Sequence, residues 1–190
     1  MSQKVEDVLK ETGAILQGHF LLASGRHSPT YVEKFHILQF ANYTEQLCRS
    51  IADHFRDNGI GAVAGPTLGG IILAHEVARQ LGVQAFYAER EGDRRVFRRG
   101  LDIIPGTPVL VVDDILTTGG SLREVIEAVR RHKGKVVAAA VLVNRGDQEM
   151  DLGVPLFSCL RVSIPTYAPK ECPQCKEGTP LTKLGSSLQA

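Results

Sequence analysis

The sequence of 190 residues lacks an excess of charge, a long apolar run and a dense set of cysteines. Lys and Arg total 22 and Asp and Glu total 21, which leaves a formal net charge of +1. This balance excludes a disordered acidic or basic chain and provides no overall field for holding nucleic acid. No apolar run approaches the roughly 18 residues that cross a bilayer, and the charged start of the sequence lacks the apolar centre of a signal peptide. We therefore expect a soluble, cytoplasmic protein without a nucleic-acid or membrane partner.

The four cysteines are too few for a disulfide scaffold, so the expected state is reduced thiols. Cys172 and Cys175 have the spacing of zinc ligands, but a structural zinc site takes four ligands. The tail around them offers neither a second cysteine pair nor a nearby histidine. We expect a packed turn there, with a four-cysteine site between two copies of the chain as the alternative. His19, His27 and His36 have no metal-binding spacing and are assigned no role.

The length, with no internal repeat or low-complexity linker, indicates one domain over residues 1–190. Two segments have the pattern of a strand, a short loop and a helix, which is typical of parallel α/β units. In chain order, the predicted elements are helices at about 4–12 and 43–58, a strand at 61–65, a helix at 71–81, strands at 83–88 and 108–112, a helix from 122 that ends at Gly134, and strands at 136–143 and about 156–162. The predicted fold is α/β, a twisted parallel sheet with helices on its faces.

The segment 109–121 combines an apolar strand, two acids and a small glycine-rich loop. Asp113 and Asp114 come at the carboxyl end of the strand, where open α/β sheets bind ligands. The backbone N–H groups of loop 117–121 can converge on an anion, and the next helix points its positive N-terminus at the same place. The segment therefore predicts a phosphate cradle beside two carboxylates. It is neither a Walker loop nor a dinucleotide-binding turn, and an isolated Asp-Asp pair would be only a capped turn.

This run resembles the signature for phosphoribosyl diphosphate (PRPP) in type I phosphoribosyltransferases, apolar residues followed by D-D-x-x-T-T-G-G-S. The resemblance implies that fold, catalytic roles for Asp113 and Asp114 at the ribose hydroxyls, and Mg²⁺ held mainly by PRPP rather than by protein ligands. The loop at 66–70 is expected to receive the diphosphate. The implied PRPP-binding residues are Asp113, Asp114, Ile115, Leu116, Thr117, Thr118, Gly119, Gly120 and Ser121, with Thr67, Leu68 and Gly69.

Two further segments concern the acceptor base. Residues 18–31 resemble the G-x-F-x-L-x-S-G-x-x-S-x-x-Y hood of orotate phosphoribosyltransferases, although turn chemistry alone would give a plain hairpin. Arg145 stands where that family holds the substrate carboxylate, which suits the planar guanidinium. The tail resembles one bacterial subgroup, which implies an N-terminal helix and hood at about 1–40, a core at about 43–165, and a tail at 166–190 that could join the hood. The implied orotate-binding residues are Thr117, Arg145, Ser24, Gly25 and Tyr31.

The sequence departs from the family pattern at three places. Ala23 replaces a common lysine, and Thr67-Leu68-Gly69 replaces a motif with a Tyr-Lys pair. The loop 89–99, which in the family acts on the neighbouring subunit's site and implies a homodimer, has five arginines but no lysine or histidine. Arg90 is the residue aligned with that loop's catalytic cation. A nucleic-acid patch fits this segment poorly because acids interrupt it, and a plain solvated hairpin is the other alternative.

The resemblance implies a Mg²⁺-dependent orotate phosphoribosyltransferase of pyrimidine biosynthesis, with PRPP and orotate as substrates. A phosphoribosyltransferase for a purine or uracil, and a non-catalytic PRPP-sensing regulator, are the alternatives.

Overall fold

The computed structural model describes residues 5–22, 24–146 and 150–184. Ala23, the predicted helix start at Lys4 and the tail after residue 184 lie outside the described residues. The helices are α1 (Val5–Glu11), α2 (Phe35–Leu38), α3 (Ala41–Phe55), α4 (Gly69–Leu81), α5 (Gly120–Arg131) and α6 (Pro173–Lys176), with a 3₁₀ turn at Pro169–Glu171. The strands are β1 (Ile15–Leu21), β2 (His27–Val32), β3 (Ala62–Pro66), β4 (Gln84–Glu91), β5 (Arg94–Val96), β6 (Pro108–Leu116), β7 (Lys135–Asn144), β8 (Leu156–Arg161) and β9 (Thr182–Lys183).

The main sheet has six strands in the order β5-β4-β3-β6-β7-β8. Neighbouring strands from β4 to β8 run parallel, and only the edge strand β5 is antiparallel to its neighbour β4. The predicted α/β fold with a parallel sheet is confirmed. Within the described residues, every helix is too short or too polar to cross a bilayer.

Both faces of the main sheet are covered, which is why its central strands are nearly continuous apolar runs. Along β6, Leu110 and Val112 pack into one hydrophobic cluster with α3 and α4. Val109 and Val111, on the opposite face, pack into a second cluster with α5. Because side chains alternate along a strand, a shift of one residue in β6 would exchange the two faces.

A second, three-stranded sheet with the order β2-β1-β9 forms the hood, and we call it the hood sheet. Strands β1 and β2 are an antiparallel hairpin, and β9 of the tail lies parallel to β1. Val32 at the end of the hairpin packs into the same cluster as α3 and α4. The expectation that the tail could join the hood is confirmed.

Three sequence predictions need correction. Strand β6 continues through Leu116, so Asp113 and Asp114 lie within the strand rather than after it. Helix α4 begins at Gly69 instead of 71, because the loop that precedes it is only Thr67 and Leu68. The tail, for which the sequence predicts only a packed turn at the cysteine pair, contains a 3₁₀ turn, α6 and β9.

Candidate active site

The two carboxylates predicted at the end of β6 are both buried, Asp113 at 5% and Asp114 at 3% exposure. The Ser121 hydroxyl donates a hydrogen bond of 2.6 Å to Oδ2 of Asp113. The backbone N–H of Asp114 donates to Oδ1 of Asp113 at 2.8 Å, and that of Ile115 donates to Oδ1 of Asp114 at 2.7 Å. These bonds fix both carboxylates before any ligand arrives, which is the preorganisation that a charge-stabilising site requires.

Lys34 is the cation of this carboxylate pair, and the sequence analysis did not find it. Its Nζ lies 2.9 Å from Oδ2 and 3.2 Å from Oδ1 of Asp114. Burial alone would lower the pKa of Lys34, but the charge and hydrogen bond of Asp114 outweigh burial and raise the pKa. Lys34 is therefore an ammonium ion, and it lies three residues after Tyr31, immediately beyond the hood hairpin.

Asp113 has the most perturbed carboxyl group of the site. Burial, and then the neighbouring charge of Asp114, raise its pKa from 3.8 to about 6, while the hydrogen bonds from Ser121 and the Asp114 backbone act in the opposite direction. A buried carboxyl beside a second carboxyl is the usual cause of such a rise. Perturbed carboxyls of this kind concentrate at functional sites.

The predicted diphosphate loop lies directly against the carboxylates. A Cβ atom added to Gly69 would come within 1.7 Å of Oδ2 of Asp114, so only glycine allows this approach. Thr67 is held by Arg95, whose Nη1 donates to its hydroxyl at 3.1 Å, and Leu68 is 69% exposed. The structure thus brings together the segments 67–69 and 113–114, which the sequence connects only by resemblance.

The predicted phosphate loop, residues 117–121, enters α5 directly. Thr117, Thr118 and Gly120 are exposed, whereas Gly119 is buried, has a φ of +75° and packs against Met150. A Cβ atom on Gly120 would meet only Thr118 Oγ1, at 3.9 Å. Gly120 therefore faces open space at the helix start, and Gly119 is required by its backbone conformation and by packing.

The predicted base-binding residues fall into two places. Tyr31 lies beside the charged groups: burial and Glu33 raise the pKa of its phenol, whereas Lys34 and Arg145 act to lower it. Arg145 follows β7, and its backbone N–H donates to the Leu116 carbonyl at 2.8 Å. Ser24 and Gly25 occupy the exposed turn of the hood hairpin, where the Gly25 N–H donates to the Leu22 carbonyl at 2.9 Å. Tyr31 and Arg145 thus lie near the carboxylates, and the hairpin turn is a separate region.

The arginine-rich segment 89–99 is a hairpin of β4 and β5. Arg90 forms an ion pair of 2.8 Å with Glu124 of α5, and Arg95 pairs with the same carboxylate at 3.1 Å. Arg95 is 7% exposed, which makes it the buried member of the five arginines. The other three arginines pair within the hairpin, Arg94 and Arg98 with Glu91 and Arg99 with Glu89.

Lys34 and Arg95 are functional candidates that sequence reasoning missed. Lys34 sits just beyond a motif that ends at Tyr31, and the proximity of that motif was the available signal. Arg95 was one of the four loop arginines that could not be aligned with the family, and its burial is visible only in the folded hairpin. A cleft of about 410 Å³ also opens where Asn144 ends β7, and it is lined as well by Met150 and, along β8, by Leu156, Ser158 and Arg161.

A second group of ligand-type side chains lies in the hood, away from the carboxylates. The potential ligand atoms of His19, His27, Cys172 and Cys175 all lie within 4.8 Å of one another. The sequence expectation that the cysteine pair has no nearby histidine is wrong, because the hood hairpin carries both histidines to the tail. Hairpin pairing of residues 18–31 was the signal that could have found them.

Comparison with known proteins agrees with this arrangement. The phosphoribosyl transferase domain model matches residues 37–166. Orotate phosphoribosyltransferase of Caldanaerobacter subterraneus subsp. tengcongensis is 49% identical over 184 residues, 97% of each chain, and that of Pelotomaculum thermopropionicum is 50% identical over 179 residues, 94% of each chain. The crystal structure of orotate phosphoribosyltransferase from Aeropyrum pernix superposes with a TM-score of 0.73 at 30% identity, covering 83% of this chain and 93% of that one.

Proposed function

The chain belongs to the phosphoribosyltransferase family, among its orotate phosphoribosyltransferases, and from this we propose that it transfers ribose 5-phosphate from PRPP to N1 of orotate. The products are orotidine 5-phosphate and diphosphate, which places the reaction in the biosynthesis of UMP. The observation that carries the proposal is the buried pair Asp113 and Asp114 facing the glycine loops at 67–69 and 117–121.

In the proposed mechanism, the bond from the anomeric carbon to diphosphate breaks ahead of the new bond to nitrogen. Positive charge then grows on the ribose, and the carboxylates of Asp113 and Asp114 at the ribose hydroxyls stabilise it. No protein nucleophile is required, since positioning and preorganised charge supply the rate enhancement. Thr117, Thr118, Gly120 and the backbone N–H groups at the start of α5 hold the 5-phosphate.

The leaving diphosphate is proposed to lie against Thr67, Leu68 and Gly69. The Arg95 guanidinium, which already holds Thr67, supplies positive charge there, and Arg90 is proposed as the catalytic cation of the hairpin. Both arginines share Glu124, so a diphosphate would compete with that carboxylate for them. The arginine hairpin forms the edge of the main sheet, and we propose a homodimer in which it carries Arg90 to the partner's site while Arg95 stays at its own.

The donor set fits a magnesium ion held through its substrate. Asp114 is paired with Lys34 and Asp113 accepts from Ser121, so the carboxylates are already engaged and lie where they would meet ribose hydroxyls. Mg²⁺ bound to PRPP would neutralise charge on the leaving diphosphate. The residues of this chain position the sugar and exclude water around it.

The proposed base site is formed by Arg145 and Tyr31, with Thr117 and, in the hairpin turn, Ser24 and Gly25. Arg145 would pair with the orotate carboxylate. The hydrophobic cluster that joins Val8, Val32 and Leu110 supports treating residues 1–190 as one domain. The four cysteines, all among the described residues, form no disulfide, which is the state expected in a reducing compartment, and we propose that the protein is cytoplasmic.

A turnover assay with PRPP, Mg²⁺ and one base at a time tests the proposal. Orotate should be consumed with release of diphosphate, and uracil, adenine and hypoxanthine should react at least a hundredfold more slowly. Faster turnover of a purine or uracil would reassign the base. PRPP binding without turnover of any base would favour the non-catalytic regulator.

A further inference from the structure

We propose that His19, His27, Cys172 and Cys175 form a structural zinc site that fastens the tail to the hood hairpin. The ligand atoms are close enough to share one ion. Nε2 of His19 lies 3.4 Å from the Cys172 sulfur and 3.6 Å from the Cys175 sulfur. Nδ1 of His27 lies 3.2 Å from the Cys175 sulfur and 3.0 Å from Nε2 of His19.

Four of these separations, 3.0 to 3.6 Å, lie close to those of a tetrahedral centre, and all potential ligand atoms are within 4.8 Å of one another. With Zn–N bonds of about 2.0 Å and Zn–S bonds of about 2.3 Å, neighbouring ligands of a tetrahedron are separated by roughly 3.3 to 3.8 Å. Two imidazoles and two thiolates are the ligand set that zinc prefers in structural sites. Because the protein supplies all four ligands, the site has no open position for substrate, and its role is structural rather than catalytic.

Hydrogen bonds alone do not explain the cluster. Nδ1 of His19 lies 2.8 Å from the Thr179 carbonyl, which can only accept, so Nδ1 carries the proton and the neutral ring presents a single lone pair at Nε2. Three potential donors, the two thiols and the His27 ring, converge on that one lone pair. A metal ion takes the lone pair and leaves the contact with Thr179 as the outer bond that typically orients a histidine ligand.

The backbone aims these side chains at one point. Strand β1 has an irregularity between Gln17 and Phe20, where two residues face one on β2, and His19 lies within it. Such a bulge redirects a side chain, and here His19 and Phe20 are both buried although they are consecutive. Cys172 precedes the single turn of α6 and Cys175 lies on it, so their side chains share one face of that turn.

The tail needs such a fastening because it has almost no core of its own. Among its described residues, 165–184, Cys172 is the one buried residue, with 0% exposure. A four-residue helix and a two-residue strand are too short to be stable alone. A bound metal supplies folding free energy where a hydrophobic core is missing. Binding of Zn²⁺ releases one proton from each thiol, so the centre with two thiolates is neutral.

Metal analysis of the full chain tests the ligand set. The reduced protein, purified without chelator and reconstituted with Zn²⁺, should hold one zinc ion per chain, as measured by inductively coupled plasma mass spectrometry. Cys175→Ser and His27→Asn should each lower that content at least tenfold, and Cys175→His should retain it. Cys159→Ala and His36→Gln, which remove the same residue types elsewhere, should retain it as well.

Two further measurements complete the test, and neither depends on the proposed activity. Co²⁺ in place of zinc should give the visible bands of a tetrahedral thiolate site. Hydrogen exchange should quicken in residues 165–184 after zinc removal, while β6 and β7 stay protected. The proposal would be overturned if the reconstituted parent protein held less than one-tenth of a zinc ion per chain, or held iron instead. A Cys172–Cys175 disulfide in the reduced preparation, or hydrogen exchange that zinc removal leaves unchanged, would also overturn it.

Discussion

The ammonium of Lys34 lies 2.9 Å from the Asp114 carboxylate. This ion pair connects the segment just after the hood hairpin to strand β6, which carries the two carboxylates. Asp114 is 4% exposed at its side chain and Lys34 is 35% exposed. The pair therefore meets solvent mainly through the lysine.

Removal of Lys34 should destabilise the protein and impair turnover together. Lys34→Ala leaves a buried carboxylate without its cation, and we expect a loss of about 1 to 2 kcal/mol in the free energy of unfolding because the lysine is partly exposed. The catalytic efficiency, kcat/KM for PRPP, should fall at least tenfold. Urea denaturation and steady-state kinetics measure the two effects, with Lys135→Ala at the opposite end of the sheet as control. Unchanged kinetics would limit the pair to a structural role.

Asp113 should make the free protein less stable as pH rises. Its pKa is raised from 3.8 to about 6 in the folded state, so the folded chain binds more protons than the unfolded chain between these values. The unfavourable contribution is absent below pH about 4, grows between pH about 4 and about 6, and is fully present at neutral pH.

Asp113→Asn should therefore stabilise the protein at pH 7 and remove this part of the pH dependence, while lowering kcat more than PRPP affinity. Chemical denaturation from pH 4 to 8 and calorimetry with PRPP check both statements. In the parent protein, kcat/KM for PRPP should decline below pH about 6 as the carboxylate is protonated. A variant that lost only PRPP affinity would make Asp113 a ribose clamp without an electrostatic role.

Gly119 and Gly120 should respond differently to the same substitution. Gly119→Ala meets Met150 and a φ of +75°, so it should cost about 1 to 2 kcal/mol of stability in addition to weakening PRPP binding. Gly120→Ala should leave stability unchanged, since its Cβ enters open space, yet raise the PRPP dissociation constant about tenfold, or 1.4 kcal/mol. Calorimetry with PRPP and thermal unfolding distinguish them. If Gly120→Ala bound PRPP normally, the 5-phosphate would lie elsewhere.

Arg145 should decide the choice of base. Arg145→Ala leaves the orotate carboxylate without a partner, a loss of roughly 2 to 5 kcal/mol, so turnover of orotate should fall at least thirtyfold while binding of PRPP alone stays near its parent value. Arg145→Lys should recover little, because an ammonium lacks the planar fork. The exposed Arg49→Ala on α3 is the matched control. Retained orotate turnover in Arg145→Ala would remove the base assignment and leave the PRPP site intact.

Arg95 should matter more than its neighbour Arg94. Arg95→Ala removes the hydrogen bond to Thr67 and half of the ion pairing of Glu124, and we expect about 2 kcal/mol less stability and a KM for PRPP raised about tenfold. Arg94→Ala, exposed and paired with Glu91, should change stability by less than about 0.5 kcal/mol. Equal effects of the two substitutions would show that burial does not distinguish these arginines.

Local sequence pattern predicts the main sheet and the phosphate loop well. The apolar run before Asp113, the glycine loop and the spacing of Leu122 and Val125 all act within one segment, where periodicity and turn chemistry decide the structure. The end of β6 was predicted too early because Asp113 and Asp114 interrupt the apolar pattern, although Asp113 and Ile115 still pair with β7.

The local sequence pattern could not predict contacts between segments that are far apart in the chain. Lys34 and Asp114 are 80 residues apart, and His19 and Cys172 are 153 apart. Nothing local to Lys34 or to the cysteine pair specifies its partner, because the partner is set by how the hood sheet packs beside the main sheet. Arg95 is a similar case, since its burial depends on α5 supplying Glu124.

The parallel pairing of β9 with β1 also sets an order of assembly on the ribosome. The hood hairpin is synthesised first, yet its third strand leaves the exit tunnel after β3 to β8 have been made. The main sheet, with both carboxylates and both glycine loops, can close while the hood still has a bare edge. Every strand of the main sheet is therefore available before the third strand of the hood sheet, and the hood sheet can be completed only when residues 182–183 emerge.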